Sequence, residues 1–284
     1  MKKIFVVFAM LLCVCGCNRK EIYLPAEFDT APSEEIFAFF PCLDNGFSML
    51  LEVGVGKCIL IGCGTGDDFP VLYEFLRGRK IESLETVILL SDNDENTGGF
   101  QKLSSNFAIG NVYAGDGIKD LYRYKNLCLA NAAEDSTFYI ASEGTRIYDE
   151  DGVSIDIISS RMCDTSSGMR NAMSLYITYY DTAMFIEGDG DFVAERDMLS
   201  TMGEHIEADV ITVPHSGASD LPSAELLSKV KPRYAVMPVY GDNYPLRRLT
   251  KALEQMEAEI IRTDTDGTVV FTFDGKNVKY NIVK

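Results

Sequence analysis

The stretch Val87-Ile88-Leu89-Leu90-Ser91-Asp92-Asn93-Asp94-Glu95-Asn96-Thr97-Gly98-Gly99-Phe100 constrains this chain more than any other. An apolar run with strand character stops at a block of oxygen-bearing side chains. A Gly-Gly pair then opens a segment with helical character. A strand that delivers polar side chains to a loop, with glycines permitting a tight backbone turn, is one way folds build a metal site. The block contains no histidine, so what it can hold depends on the rest of the chain.

From residue 35 onward strand and helix signals alternate. Residues 37–40, 48–53 and 57–61 read as strands, the last two joined at Gly54-Val55-Gly56. The loop Gly62-Cys63-Gly64-Thr65-Gly66-Asp67-Asp68 leads into a helix over 70–78. It is not read as a phosphate loop, because no Lys-Ser/Thr follows and its exit is acidic. Further strands are predicted at 84–90, 137–142, 154–159, 174–180, 183–187, 209–213, 234–239, 259–262, 269–273 and 278–282. Asp181-Thr182 is expected to form a tight hairpin. Helices are predicted at 100–107, 117–124, 192–205, 223–230 and 246–256. Two groups of strands with helices in both halves predict one sheet-rich α/β domain over 35–284.

The first residues read differently. Lys2-Lys3 is a short basic region, and residues 4–14 form an apolar run too short for a stable bilayer span. The run ends in Val14-Cys15-Gly16-Cys17, which resembles a bacterial lipobox. That reading makes residues 1–16 a signal peptide and Cys17 the lipidated residue. Residues 17–34, with Pro25 and Pro32, become a tether. The chain is then expected at a cell membrane, lipid-anchored on the extracytoplasmic face, since several acyl chains anchor durably where one does not. A plain secretory signal is the alternative. Cys15 fits less well as acceptor, because Val14 would stand where a small residue is needed.

Of the eight cysteines, Cys13 and Cys15 would leave with the signal. Cys42, Cys58, Cys63, Cys128 and Cys163 would remain beside Cys17, an odd set at irregular spacing and no disulfide framework. Cys58 and Cys63 sit in an apolar run and are expected to be buried. The net charge of −17 disfavours general binding to nucleic acid or to anionic membrane surfaces. The basic cluster Arg247, Arg248 and Lys251 has helical spacing and reads as a solvated face.

Several motifs occur in one order. They are Ile59-Leu60-Ile61-Gly62-Cys63-Gly64; Ser91-Asp92-Asn93-Asp94-Glu95-Asn96-Thr97-Gly98-Gly99; Asn171-Ala172-Met173-Ser174-Leu175 before Glu187-Gly188-Asp189; Ala208-Asp209-Val210-Ile211-Thr212-Val213-Pro214-His215-Ser216-Gly217-Ala218; Gly241-Asp242-Asn243-Tyr244-Pro245; and Thr263-Asp264-Thr265-Asp266-Gly267. In this order the chain resembles the metallo-β-lactamase superfamily and, within it, the hydrolase domain of ComEC-type competence proteins. The resemblance covers nearly all of the chain after the tether. It implies a four-layer αββα sandwich. It also implies a pair of divalent metals, usually zinc, held by histidines and aspartates, with a metal-bound hydroxide attacking a phosphoester or amide.

Position by position, the implied ligand set is mostly changed. Ser91, Asn96 and Tyr244 stand where that family has histidines, and Ser216 replaces one histidine of a pair. Asn93 and Glu95 stand where it has aspartates. Asp189 matches the bridging aspartate, and His215 is kept. The chain has two histidines, and His205 is expected on a helix surface. Imidazole gives such sites their affinity for zinc, so no cofactor is expected. If one binds, it is a single divalent ion (Zn, Mn, Mg or Ca) on Asp189 and His215 with Asp94 or Glu95. The start Asp92-x-Asp94-x-Asn96 is not an EF-hand, because Thr97 and Leu103 occupy the positions that need Gly and Glu. Two readings remain open. One is a pseudo-hydrolase acting as a binding or scaffold module. The other is a remodelled metal-dependent hydrolase of phosphoester-type substrates.

Overall fold

The structure is a computed structural model. It describes residues 35–115, 135–165, 168–203, 206–241 and 244–283, with backbone alone at 161–171. The proposed signal, the tether, Cys17, the helix expected over 117–124 and His205 lie outside the described residues. Among the described residues no helix is long and apolar enough to cross a membrane.

Two sheets face each other. The first runs, in spatial order, β15 (Val278–Val283), β14 (Thr268–Phe273), β1 (Ile36–Phe40), β2 (Met49–Gly54), β3 (Lys57–Ile61), β4 (Ser83–Leu89), β5 (Ala108–Gly115) and β6 (Thr137–Ala141). The second runs β13 (Glu259–Arg262), β12 (Tyr234–Met237), β11 (Val210–Thr212), β10 (Thr182–Ile186), β9 (Gly168–Tyr179), β8 (Val153–Thr165) and β7 (Arg146–Glu150). In the first sheet β3 through β6 are parallel, and in the second β10 through β13 are parallel. Parallel strands need crossovers, and the helices that make them cover the outer faces.

The sequence of β1, Ile-Phe-Ala-Phe-Phe, shows why both faces are apolar. All five residues are buried. Ile36, Ala38 and Phe40 point into the core between the sheets, where they meet residues such as Ile177, Met184 and Phe271. Phe37 and Phe39 alternate to the opposite face and join the core under α1 (Phe69–Gly78) and α3 (Phe100–Asn106), with Leu72, Phe75 and Leu103. On the outside of the second sheet, Phe185, Ile211 and Met237 pack against three helices. These are α4 (Phe192–Thr201), α5 (Ala224–Val230) and α6 (Arg247–Gln255). Between β4 and α3 lies the short α2 (Asp94–Thr97), and α7 (Thr263–Asp266) links β13 to β14. Helices, sheet, sheet, helices: the expected αββα order is present.

The element reading needs correction in places. The helix expected over 192–205 ends at Thr201, because Met202 takes an extended ψ of 142°. The hairpin between β9 and β10 turns at Tyr180-Asp181, one residue before the expected pair. Strands β5 and β7 were not anticipated. Gly54-Val55-Gly56 does turn β2 into β3.

Candidate functional site

The loops that leave the carboxyl ends of β4, β10, β11 and β12 meet at one edge of the sandwich, where ligand sites of α/β sheets lie. Residues from all four line a cleft with about 320 Å³ of space including its open mouth: Leu90 and Asn96; Glu187 and Asp189; His215 and Ser216; Pro238 and Tyr240. Phe47, from the loop before β2, closes one side.

The loop after β4 is stitched to its neighbours through its backbone. Phe47 N–H donates to Glu95 O at 2.8 Å, Cys63 N–H to Asn96 O at 2.8 Å, and Gly99 N–H to Gly64 O at 2.8 Å. Gly99 has to be glycine, since a Cβ there would lie 2.2 Å from the Cys63 carbonyl oxygen. Asp68, buried at the start of α1, ties down the facing loops. Its Oδ1 accepts from the backbone N–H groups of Asp44 and Asn45, and its Oδ2 from Thr65. These contacts make a rigid cradle.

The chemistry inside the cradle is a closed hydrogen-bond network. Asn93 caps α2. Its Oδ1 accepts from Ser91 Oγ at 2.7 Å, from Asn96 N–H at 3.0 Å and from Asn96 Nδ2 at 2.8 Å. The amide groups then turn to Asp189. Asn96 Nδ2 donates to its Oδ2 at 2.8 Å and Asn93 Nδ2 at 3.2 Å. The backbone N–H of His215 donates to Oδ1 at 3.0 Å. Three donors occupy a carboxylate with roughly four acceptor directions. His215 and Ser216 sit in the left-handed region, with φ of 52° and 56°. Non-glycine residues pay roughly 1–3 kcal/mol for such conformations, and here the turn is what aims the His215 N–H at Asp189.

The His215 ring Nε2 lies 2.8 Å from the Gly190 carbonyl oxygen. A carbonyl only accepts, so Nε2 carries the hydrogen; in the neutral ring the lone pair is then on Nδ1, 3.8 Å from Asp189 Oδ1. Below Asp189, Glu187 is 6% exposed. Burial raises its pKa well above the ordinary carboxyl value; Glu195 and then Asp189 add to the rise. Glu187 Oε2 and Glu195 Oε1 are buried with no hydrogen-bond donor. Glu195 Oε2 accepts from Ser223 N–H at 2.9 Å.

Of the residues singled out in the sequence, Ser91, Asn93, Asn96, Asp189 and His215 are brought together. Ser216 is buried beside them, and its Oγ accepts from Tyr240 N–H at 3.3 Å. Asp94 and Glu95 open α2 and do not line the cleft; Asp94 is exposed. Tyr244 is 74% exposed, so it does not fill the cleft, and Tyr240 lines it instead. Sequence reasoning also passed over Glu187 and Asp68. Glu187 carried a signal, a lone carboxyl ending the apolar run 183–187. Cys58 and Cys63 are buried as expected, and burial pushes the Cys58 thiol up to about 12.

A zinc pair does not fit these residues. The groups directed at Asp189 are N–H donors, which present positive hydrogen where a cation would bind. Among the described residues no three His, Cys, Asp or Glu side chains converge as a metal-holding group.

No protein-family model matches the chain. A curated relative, ComE operon protein 3 of Bacillus subtilis (strain 168), is 19% identical over 209 residues; the match covers 72% of this chain but 27% of that protein. The metallo-β-lactamase fold protein YhfI from Bacillus subtilis superposes with a TM-score of 0.57 at 12% identity, over 82% of this chain and 96% of its own. Zn²⁺-bound PqqB from Methylobacterium extorquens gives 0.54 at 10% identity, over 77% and 85%. These likenesses concern fold, and a fold by itself assigns no activity. The chain has the metallo-β-lactamase fold.

Proposed function

We propose that this chain is a non-catalytic relative of the hydrolases that share its fold, a binding module tethered by a lipid on the extracytoplasmic face of a bacterial membrane. One observation carries the reading: the Asp189 carboxylate is held by the amides of Asn93 and Asn96 and the backbone of His215. The polar groups around Asp189 satisfy one another, so that part of the site holds together with no ion. The anchor follows from the lipobox-like Val14-Cys15-Gly16-Cys17. The test is elemental analysis of the purified full chain, together with phosphodiester turnover across Zn²⁺, Mn²⁺, Mg²⁺ and Ca²⁺. The expected result is no stoichiometric metal and no turnover. Two zinc equivalents per chain would overturn the reading.

A second reading has its own observation. His215 Nδ1 keeps a lone pair that faces Asp189 at 3.8 Å, the beginning of a mononuclear site for a phosphoester hydrolase. Metal-stimulated turnover abolished by both Asp189→Ala and His215→Ala would establish it, and silence across the four ions would end it.

A further inference from the structure

We propose that the end of the sandwich opposite the cleft is a membrane-facing surface, on which Val55 and Tyr180 rest at the headgroup level of a zwitterionic phospholipid bilayer and turn the cleft away from it. The inference rests on the lipid-anchor reading and adds the face through which the anchored domain meets the lipid.

Strand direction defines the two ends. β3 and β4, like β10, β11 and β12, are parallel and run toward the cleft. The turns β2–β3, β7–β8, β9–β10 and β14–β15 therefore lie at the far end. The chain enters there too, because Ile36, the first residue of β1, pairs with Phe273, the last of β14. Three of these turns are stitched together at Tyr180. Its N–H donates to Gly152 O at 3.3 Å, and the N–H of Asp181 donates to Gly275 O at 3.0 Å. Its ring packs on both glycines: a Cβ would lie 2.6 Å from the ring at Gly152 and 3.0 Å from it at Gly275. Lys57 ties in the fourth turn through ion pairs to Glu150 at 2.7 Å and Asp151 at 2.9 Å.

This cross-linked end leaves two apolar side chains in water, Val55 at 82% and Tyr180 at 68% exposure. A side chain already held in place loses little freedom on docking. A tyrosine suits the boundary between water and lipid, since its ring is apolar and its hydroxyl stays wet. Charge selects the lipid. Glu35, Glu150, Asp151, Asp181 and Asp274 outnumber Lys57 and Lys276 at this end, so anionic headgroups are repelled and zwitterionic ones are not.

The cleft end competes, because Phe192, Val193 and Tyr244 are exposed there. The span from Cys17 to Glu35 reaches about 60 Å when extended, and a domain of this length is about 45 Å across. The tether by itself therefore does not forbid either orientation. It does make lipid most concentrated at the end it joins, since effective concentration falls with the length of the connection. The anchor supplies the affinity, and the far-end turns have only to bias which face lies down.

The chain has no tryptophan, so one introduced indole reports alone. The experiment places the full chain, lipidated at Cys17, in phosphatidylcholine vesicles with and without brominated acyl chains. Val55→Trp reports on the far end and Phe192→Trp on the cleft end; both positions are exposed, so neither change disturbs the core. The Val55→Trp emission is expected to shift to shorter wavelength and to be lost to bromine, while the Phe192→Trp emission does neither. An indole favours the interface equally at either end, so the difference between the two belongs to the domain. Tyr180 has a left-handed φ of 49°, which asparagine tolerates. Adding Val55→Ser and Tyr180→Asn to the Phe192→Trp chain should therefore abolish the bias and bring its indole into quenching range. Equal quenching of the two reporters, quenching of Phe192→Trp alone, or no effect of the double change would overturn the proposal. A chain that is acylated and floats with the vesicles but shows any of these results removes this inference and leaves the anchor standing. A chain that carries no acyl group by mass and does not float removes both.

Discussion

Asn96 makes the difference between a metal ligand position and a hydrogen-bond donor. Its side-chain amide bridges Asn93 and Asp189, donating to both while staying neutral. Asn96→Asp would set a second carboxylate against Asp189. The expected cost is about 1–3 kcal/mol of stability at neutral pH, from a lost donor and an added like charge. Urea midpoints measure it, and Mn²⁺ should recover part of the loss in the variant but none in the parent. Glu187 supplies a second prediction. Burial, then Glu195, raises its pKa well above the ordinary carboxyl value in the folded chain, while the unfolded chain releases that proton with a pKa of about 4.3. Between that value and the raised folded one the folded state binds the extra proton. The contribution is therefore complete below the unfolded pKa and is lost as pH rises through the folded one. Glu187→Gln should remove a slope of up to about 1.4 kcal/mol per pH unit from the stability profile. Parallel pH profiles that do not differ in this window would contradict the assignment.

The elements show which parts of the fold a sequence pattern reveals. β1 and β3 are apolar at nearly every position and β4 from Val87 to Leu89, and β-branched or aromatic residues mark them as buried strands. β5 carries Gly110 and Asn111 in Ala-Ile-Gly-Asn-Val-Tyr-Ala-Gly, a composition that argues against a strand. It is a strand because β4 and β6 pair with it on both sides. Gly110 in fact permits the pairing, since a Cβ there would lie 2.7 Å from Glu85 O. The junction after α1 is held by an ion pair that no periodicity reveals. Arg79 donates to both carboxylate oxygens of Glu52, at 2.5 and 2.7 Å, and lies 4.0 Å over the Phe39 ring. Both side chains are nearly inaccessible to water. Glu52→Ala would strand the buried guanidinium and should cost about 3–5 kcal/mol, read from chemical denaturation. A change under 1 kcal/mol would mean that the pair relaxes to solvent.

For the whole molecule, charge and fold point in different directions. The fold is shared with metal-bearing proteins such as the Zn²⁺-bound PqqB. Yet the net charge of −17 and an acidic cleft are poorly suited to a phosphate backbone. The full chain is expected to show no DNA retention in a gel-shift assay at about 0.15 M salt, where the screening length is about 8 Å. A stable shifted complex at that salt would count against the charge argument and in favour of a nuclease-like surface.

The amino-acid sequence by itself determined the layered architecture, because apolar runs of strand length separated by turn and helix signals are written into most of the chain. It also determined that the imidazoles of a zinc pair are absent, because residue identity alone settles which nitrogens exist. What took their place was decided by tertiary structure. That the amides of Asn93 and Asn96 close on Asp189, that Tyr240 rather than Tyr244 lines the cleft, and that Glu187 lies beneath it facing Glu195 all depend on loops far apart in the chain meeting at one edge of the two sheets. Hydrogen bonds and buried charge are properties of distance and orientation, and neither is local in sequence.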